Sequence, residues 1–195
     1  MARKTELPHD EIARRAVEEA GKLAAKDGLR SIAMRPIAKA VGCSVGTIYN
    51  VVGDLDEIVL RLNMRSTTAM ADRLEAAVAG LSDPLEKAHA LAQTYVRLGE
   101  ENQKLWSVLI EFSLPEGRKL PETYAEIVAR PVRIVEQAIG PLFPNEEECR
   151  RAVAALWAGL HGIVALSVGR KLWVVTDEAS AKIAETLIDR YLGAA

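Results

Sequence analysis

Apolar residues recur at intervals of three and four along almost the whole chain, and no segment alternates apolar and polar positions between turn signals. This pattern predicts an all-α protein. The first predicted helix covers His9 to Lys26, with Ile12, Ala16, Val17, Ala20, Leu23 and Ala24 on one stripe. Asp27-Gly28 ends it, because glycine takes the left-handed backbone that closes helices. Two very short helices are predicted next. Met34 to Val41 tolerates Pro36, since the first helical turn leaves its N–H groups without intrahelical partners, and Ile37, Ala38 and Val41 form its inner face. Gly42 breaks the pattern, Ser44 has the side chain to cap a new helix, and Val45 to Val51 follows until Gly53. Two short helices joined by a glycine-containing turn of about three residues have the layout of a helix-turn-helix.

Asp54 is placed to cap a much longer helix through Ile58, Leu62, Ala69, Leu74 and Val78 to Gly80. About five further helices are expected, with breaks at Ser82-Asp83-Pro84, Leu114-Pro115-Glu116-Gly117, Gly140-Pro141 to Pro144-Asn145 and Thr176-Asp177. Pro131 inside Glu122 to Ile139 predicts a kink or a split. The segment Glu146 to Trp173 is apolar on all sides from Ala152 to Val168, which predicts burial in a core and at a subunit interface together. The division expected from this pattern is a small helical head over residues 1–53 and a larger helical body over 54–195.

Composition narrows the class. Of 195 residues, 49% are hydrophobic and 27% charged, which suits globular units and excludes disordered and collagen-like chains. No apolar run is read as approaching the roughly 18 residues of a membrane span, and Met1 to Glu6 leads into charged residues rather than an apolar signal core. A cytoplasmic protein without a membrane partner is therefore expected. The formal net charge is -2, but it is unevenly placed: nine Lys/Arg against six Asp/Glu in residues 1–53 give the head +3, and sixteen against twenty-one give the body -5. A basic head on an acidic body is the asymmetry expected when one part approaches phosphates. Cys43 and Cys149, with His9, His89 and His161, lie too far apart to form a ligand cluster, so no metal and no cofactor is expected.

One motif points to an enzyme. Gly42-Cys43-Ser44-Val45-Gly46 satisfies G-x-S-x-G, the nucleophile elbow of α/β-hydrolases. The elbow needs a strand before its serine, whereas helical periodicity precedes Ser44. Helix capping accounts for Ser44 better than nucleophilic catalysis, and no catalytic residue is assigned.

The head is more specific than its layout alone. The stretch Ile12, Ala16, Ala20, Leu23 and Gly28, followed by Met34-Arg35-Pro36-Ile37-Ala38-Lys39-Ala40-Val41-Gly42-Cys43-Ser44-Val45-Gly46-Thr47-Ile48-Tyr49, closely resembles the N-terminal DNA-binding domain of the TetR family of transcriptional regulators. The resemblance implies a three-helix DNA-binding head whose recognition helix starts at Ser44, double-stranded palindromic DNA as partner, and repression as the common mode. The residues it assigns to DNA are Arg35, Ser44, Val45, Gly46, Thr47, Tyr49 and Asn50. Gly46 lets the helix approach closely, Thr47 and Tyr49 can bond phosphate oxygens, and Val45 and Asn50 are placed for base edges. The chain departs from the family where Tyr-x-His-Phe-x-x-Lys is usual and it reads Tyr49-Asn50-Val51-Val52-Gly53-Asp54-Leu55. Leu55 replaces a lysine that would meet phosphate, with Arg3, Lys4, Arg14 and Lys39 as compensating cations. Ala33 stands where a capping Thr or Ser is common, which leaves Ser31 as the substitute cap. A helical scaffold that has lost DNA binding is the alternative these departures suggest.

In the body, Leu156-Trp157-Ala158-Gly159-Leu160-His161-Gly162-Ile163 resembles the Trp-His-Gly signature of a TetR C-terminal subfamily, the WHG domain. That resemblance implies a homodimer through the last two long helices, with Trp157, Gly159, Gly162, Leu166, Leu187 and Tyr191 at the contact. The family also implies a pocket for a small, often hydrophobic effector. Its candidates here are Trp106, Leu109, Glu111, Phe112, Tyr124, Val128, Trp157 and His161.

Overall fold

The computed structural model describes residues 7–114 and 116–193. Among them the chain forms nine α-helices and no strand: α1 His9–Asp27, α2 Met34–Val41, α3 Val45–Val51, α4 Leu55–Val78, α5 Pro84–Glu101, α6 Gln103–Glu111, α7 Tyr124–Ile139, α8 Glu146–Val168 and α9 Ser180–Leu192. The chain divides into two compact units, residues 1–66 with 104–120, and residues 67–103 with 121–195.

The first unit holds more than the three helices of the head. Ile12, Ala16, Ala20 and Ala24 of α1 pack with Ile37 and Val41 of α2, Ile48 of α3, Ile58 and Leu62 of α4, and Val108 of α6. Helices as short as α2 and α3 have little stability of their own, so this shared core is what holds them. Gly42 closes α2 at φ +84°, ψ 28°, a left-handed conformation that fits glycine, and its N–H donates to the Ala38 carbonyl. Ser31 does not cap α2. Its hydroxyl donates instead to the carbonyls of Leu23, at 2.8 Å, and Gly28, at 2.7 Å, tying the turn back onto α1, and Ala33 leaves the start of α2 without a side-chain cap.

In the second unit α5 packs against α7, α8 and α9. Leu74, Leu91, Ile139, Val153, Leu156 and Ile188 lie among its buried residues. One carboxylate satisfies the half-buried Ser167 and the buried Ser180: Ser167 donates to Glu100 Oε1 at 2.8 Å, and Ser180 donates to the same oxygen. The helix α7 continues through Pro131 as one helix, so the split foreseen there does not occur. By contrast α8 ends at Val168, short of Trp173, because Gly169 is followed by Arg170 at φ +52° and the Lys171 N–H turns back to the Leu166 carbonyl at 2.8 Å. A one-turn 3-10 helix, Leu172–Val174, follows. The helix α8 is long and apolar enough, by length and composition, to cross a membrane, which corrects the reading that no run approached that length. Its alanines raise its apolar character without large side chains. One side of it is in the core through Cys149, Ala152, Val153, Leu156 and Val164.

Candidate nucleic-acid interface and ligand cavity

The helix-turn-helix presents α3 by a simple division of faces. Ile48 is fully buried in the head core, while Ser44, Gly46, Tyr49 and Asn50 are exposed and Val45 and Thr47 half-buried. Ser44 caps α3: its Oγ accepts the Thr47 N–H at 3.0 Å and lies 2.8 Å from Thr47 Oγ1. The element before it is the helix α2, so the serine sits on a helix-to-helix turn rather than the strand-to-helix turn of a hydrolase. Gly46 opens the middle of the exposed face. A Cβ there would meet only Ser44 Oγ, at 3.7 Å, so the fold itself does not require glycine at this position. Val45 packs partly against the head core, which leaves Asn50 and Tyr49, 51% exposed, as the large side chains most open on α3.

The charges sort in the same way. Arg14 is held by Glu11 and Glu18 at 2.8 and 2.9 Å, and Arg15 by Glu11 at 2.6 Å. These pairs hold the Glu11 carboxyl down at about 2, through the Arg14 and then the Arg15 hydrogen bonds. Arg14 is therefore already matched on its own helix and is a poor substitute for the missing lysine. Arg3 and Lys4 lie outside the described residues. Arg35 and Lys39 are exposed on α2 and take part in none of the ion pairs among the described residues. Leu55 is half-buried against the head core, so its position contributes packing.

A residue that sequence reasoning missed lies against the start of α4, in the same unit. Arg118, far along the chain in the break after α6, binds Asp54 through both guanidinium nitrogens at 3.0 and 2.8 Å and reaches Glu57 at 3.4 Å. Asp54 also caps α4 by accepting the Glu57 N–H at 2.9 Å. The Arg118 hydrogen bond, and after it the Glu57 N–H, holds the Asp54 carboxyl below its ordinary 3.8. A carboxylate depressed in the folded state adds stability that is present above its unfolded pKa and lost as pH falls through the lower folded value. Arg118→Ala is expected to move the Asp54 midpoint up toward the ordinary range in a carboxyl-detected NMR titration. An unmoved midpoint would mean that the ion pair is not formed in solution.

The second unit contains a cavity of about 650 Å³, counting its open mouth, lined by residues of α4, α5, α7, α8 and α9. Of the eight residues put forward for a pocket, only Trp157 lines it. His161 stands behind the wall: its ring lies 3.8 Å from that of Trp157, and the hydroxyl of Tyr95, a lining residue, is 2.7 Å from Nδ1 and 3.0 Å from Nε2. Burial pushes the His161 pKa down, against a smaller opposing effect of its hydrogen bond to the Trp157 backbone. Trp106, Leu109, Glu111 and Phe112 do not belong here. They lie in the first unit, Trp106, Leu109 and Glu111 on α6 and Phe112 just after it, where Trp106 is buried and Phe112 packs on the head core. Tyr124 and Val128 lie on α7, but that helix lines the cavity through Pro131, Val132, Val135 and Ile139, one to four turns further on. Tyr95 was legible only as one more inward position of α5, four residues after Leu91.

The residues assigned to a dimer contact divide in two. Trp157, 54% exposed, Leu166, Gly162 and Tyr191 are open on α8 and α9. Gly159 instead receives Leu187 of its own chain, since a Cβ on Gly159 would lie 2.8 Å from Leu187 Cδ2.

Comparison with known proteins agrees with this organisation. The family model described as the tetracyclin repressor-like C-terminal domain matches residues 88–191, just over half of the chain. An uncharacterized HTH-type transcriptional regulator of Mycobacterium tuberculosis, present in strains H37Rv and CDC 1551, is 26% identical over 149 residues, covering 76% of this chain and 71% of that protein. Among solved structures, a TetR transcriptional regulator from Rhodococcus sp. RHA1 superposes with a TM-score of 0.68 at 17% identity, covering 95% of each chain. RolR, solved in complex with resorcinol, superposes with a TM-score of 0.66 at 14% identity, covering 95% of this chain and 89% of its own. An all-helical chain that carries a helix-turn-helix and matches this C-terminal domain over more than half its length belongs to the TetR family of transcriptional regulators.

Proposed function

We propose that this regulator is a cytoplasmic homodimeric repressor that binds a palindromic operator through α3 and loses or changes that affinity when a small hydrophobic effector occupies the cavity of its second unit. The observation that carries the reading is the two-sided construction of α3: Ile48 locks it into the core while Ser44, Gly46, Tyr49 and Asn50 stay open, and the preceding helix α2 carries the exposed cations Arg35 and Lys39. In this reading Thr47, Tyr49 and Arg35 meet the backbone, Asn50 and the open part of Val45 meet base edges, and two heads on a dimer axis read half-sites about 34 to 36 Å apart. The effector must bind two arrangements of the protein unequally, because equal binding shifts nothing.

The open apolar side of α8 and α9 supports the dimer. Ala154, Trp157, Ala158, Gly162, Ala165 and Leu166 of α8 are exposed, and Tyr191 of α9 adds to them. Leu166→Glu places a carboxylate on that side at a position 39% exposed, where the monomer fold has little to lose. Sedimentation is expected to show a dimer for the natural chain and a monomer for Leu166→Glu. The variant should also bind a two-half-site duplex at least about tenfold more weakly, since it no longer gains from two linked heads. A variant that stays dimeric would place the contact elsewhere, and operator binding by a stable monomer would remove the dimer from the mechanism. The scaffold alternative, with no DNA partner, expects neither protein to bind any duplex.

A further inference from the structure

The cavity in the second unit is chemically one-sided, and this narrows what it can hold. Its lining is apolar, with Met70, Leu74, Leu91, Val135 and Leu156 among the walls, and none of its described lining residues is Asp, Glu, Lys or Arg. Two charged groups on the same helices are engaged elsewhere: Arg130 with Asp72 and Glu75 at 2.7 and 2.6 Å, and Glu100 with Ser167 and Ser180. An ion entering this space would give up its hydration without meeting a counter-charge. The polar side-chain groups of the lining residues are the Tyr95 hydroxyl and the Trp157 indole. Tyr95 is 7% exposed and is held in place by His161, which stacks on its ring and is itself in tilted ring contact with Trp157. Burial favours the uncharged imidazole, so His161 offers no cation for a carboxylate. A phenol hydroxyl both donates and accepts hydrogen bonds, which suits it to a neutral polar group.

Resting on the effector reading above, we propose that this cavity selects uncharged, largely apolar molecules whose hydroxyl or carbonyl group hydrogen-bonds Tyr95, and rejects carboxylates and ammonium ions of the same carbon skeleton. The test is calorimetric titration of the full chain, without DNA, with 1-octanol, octanoate and octylammonium at neutral pH. Octanol is expected to bind at least about tenfold more tightly than either ion, a difference of roughly 1.4 kcal/mol. Val132→Trp fills the mouth of the cavity at a position 38% exposed and should abolish octanol binding while leaving the thermal unfolding profile intact. Tyr95→Phe should weaken octanol about fivefold, the ordinary net worth of one hydrogen bond. Octanoate or octylammonium binding as tightly as octanol, no binding by any of the three, or undiminished octanol binding to Val132→Trp would each overturn the proposal. Selective octanol binding that leaves operator affinity unchanged would sustain this ligand class and refute the regulatory reading instead.

Discussion

Gly46→Glu is expected to weaken operator binding roughly 100-fold while leaving the head folded. The two effects have opposite signs, which makes this substitution informative. Gly46 lies in the first turn of α3 with ordinary helical backbone, and a Cβ there meets only Ser44 Oγ at 3.7 Å. Replacing a glycine in a helix interior recovers about 0.5–1 kcal/mol of backbone entropy, which is an upper bound for this first-turn position. A carboxylate in the first turn also faces the positive end of the helix dipole. Stability should therefore hold or rise slightly. At the DNA surface the same side chain fills the closest point of approach and sets a negative charge against phosphates, a loss of about 3 kcal/mol or roughly 100-fold in affinity. Thermal unfolding and fluorescence anisotropy on one sample separate the two. A stable variant that binds as well as the natural chain would show that this face of α3 does not meet DNA.

Ile48→Ala should cost about 2–5 kcal/mol of head stability, because Ile48 is fully buried where α3 meets the core shared with α1, α2 and α4. The helix is seven residues long and has no independent stability to fall back on. Amide hydrogen exchange resolved by residue is the proper readout, since the chain has two units and a single unfolding transition need not report on the head. Protection across α1–α3 is expected to fall by a factor of at least about 30, with α5, α8 and α9 little changed. DNA binding should fall with it. Unchanged protection in α1–α3 would contradict the account of how the recognition helix is held.

Much of this architecture was legible because helix signals are local. The stripe of α1, the bounds Met34–Val41 and Val45–Val51, and the Ser44 cap all follow from spacing of apolar residues and from the residue types at the ends. Contacts between distant segments were not legible. The α6 segment contributes Val108 to the head core, so Trp106 and Phe112 read as pocket residues although they pack in the other unit. Periodicity identifies an inward face without saying which partner it meets. The same limit hid Arg118: an arginine in a break between helices carries no local sign that it will clamp a carboxylate 64 residues earlier. On α7 the error was one of position along the axis, since Tyr124 and Val128 lie on the helix that lines the cavity but nearer its start than the lining residues. His161 and Trp157 meet one turn apart on α8, whereas Tyr95, which completes the group, comes from a different helix.

The claim that the exposed face of α3 reads DNA is tested most directly by selecting bound sequences from a random duplex library and titrating the affinity of the winner against salt. The expected result is a palindromic consensus with half-sites one helical turn apart, bound by a dimer, with affinity falling linearly in log–log form as salt rises. A folded, dimeric protein that enriches no sequence, with or without octanol present, would contradict the account.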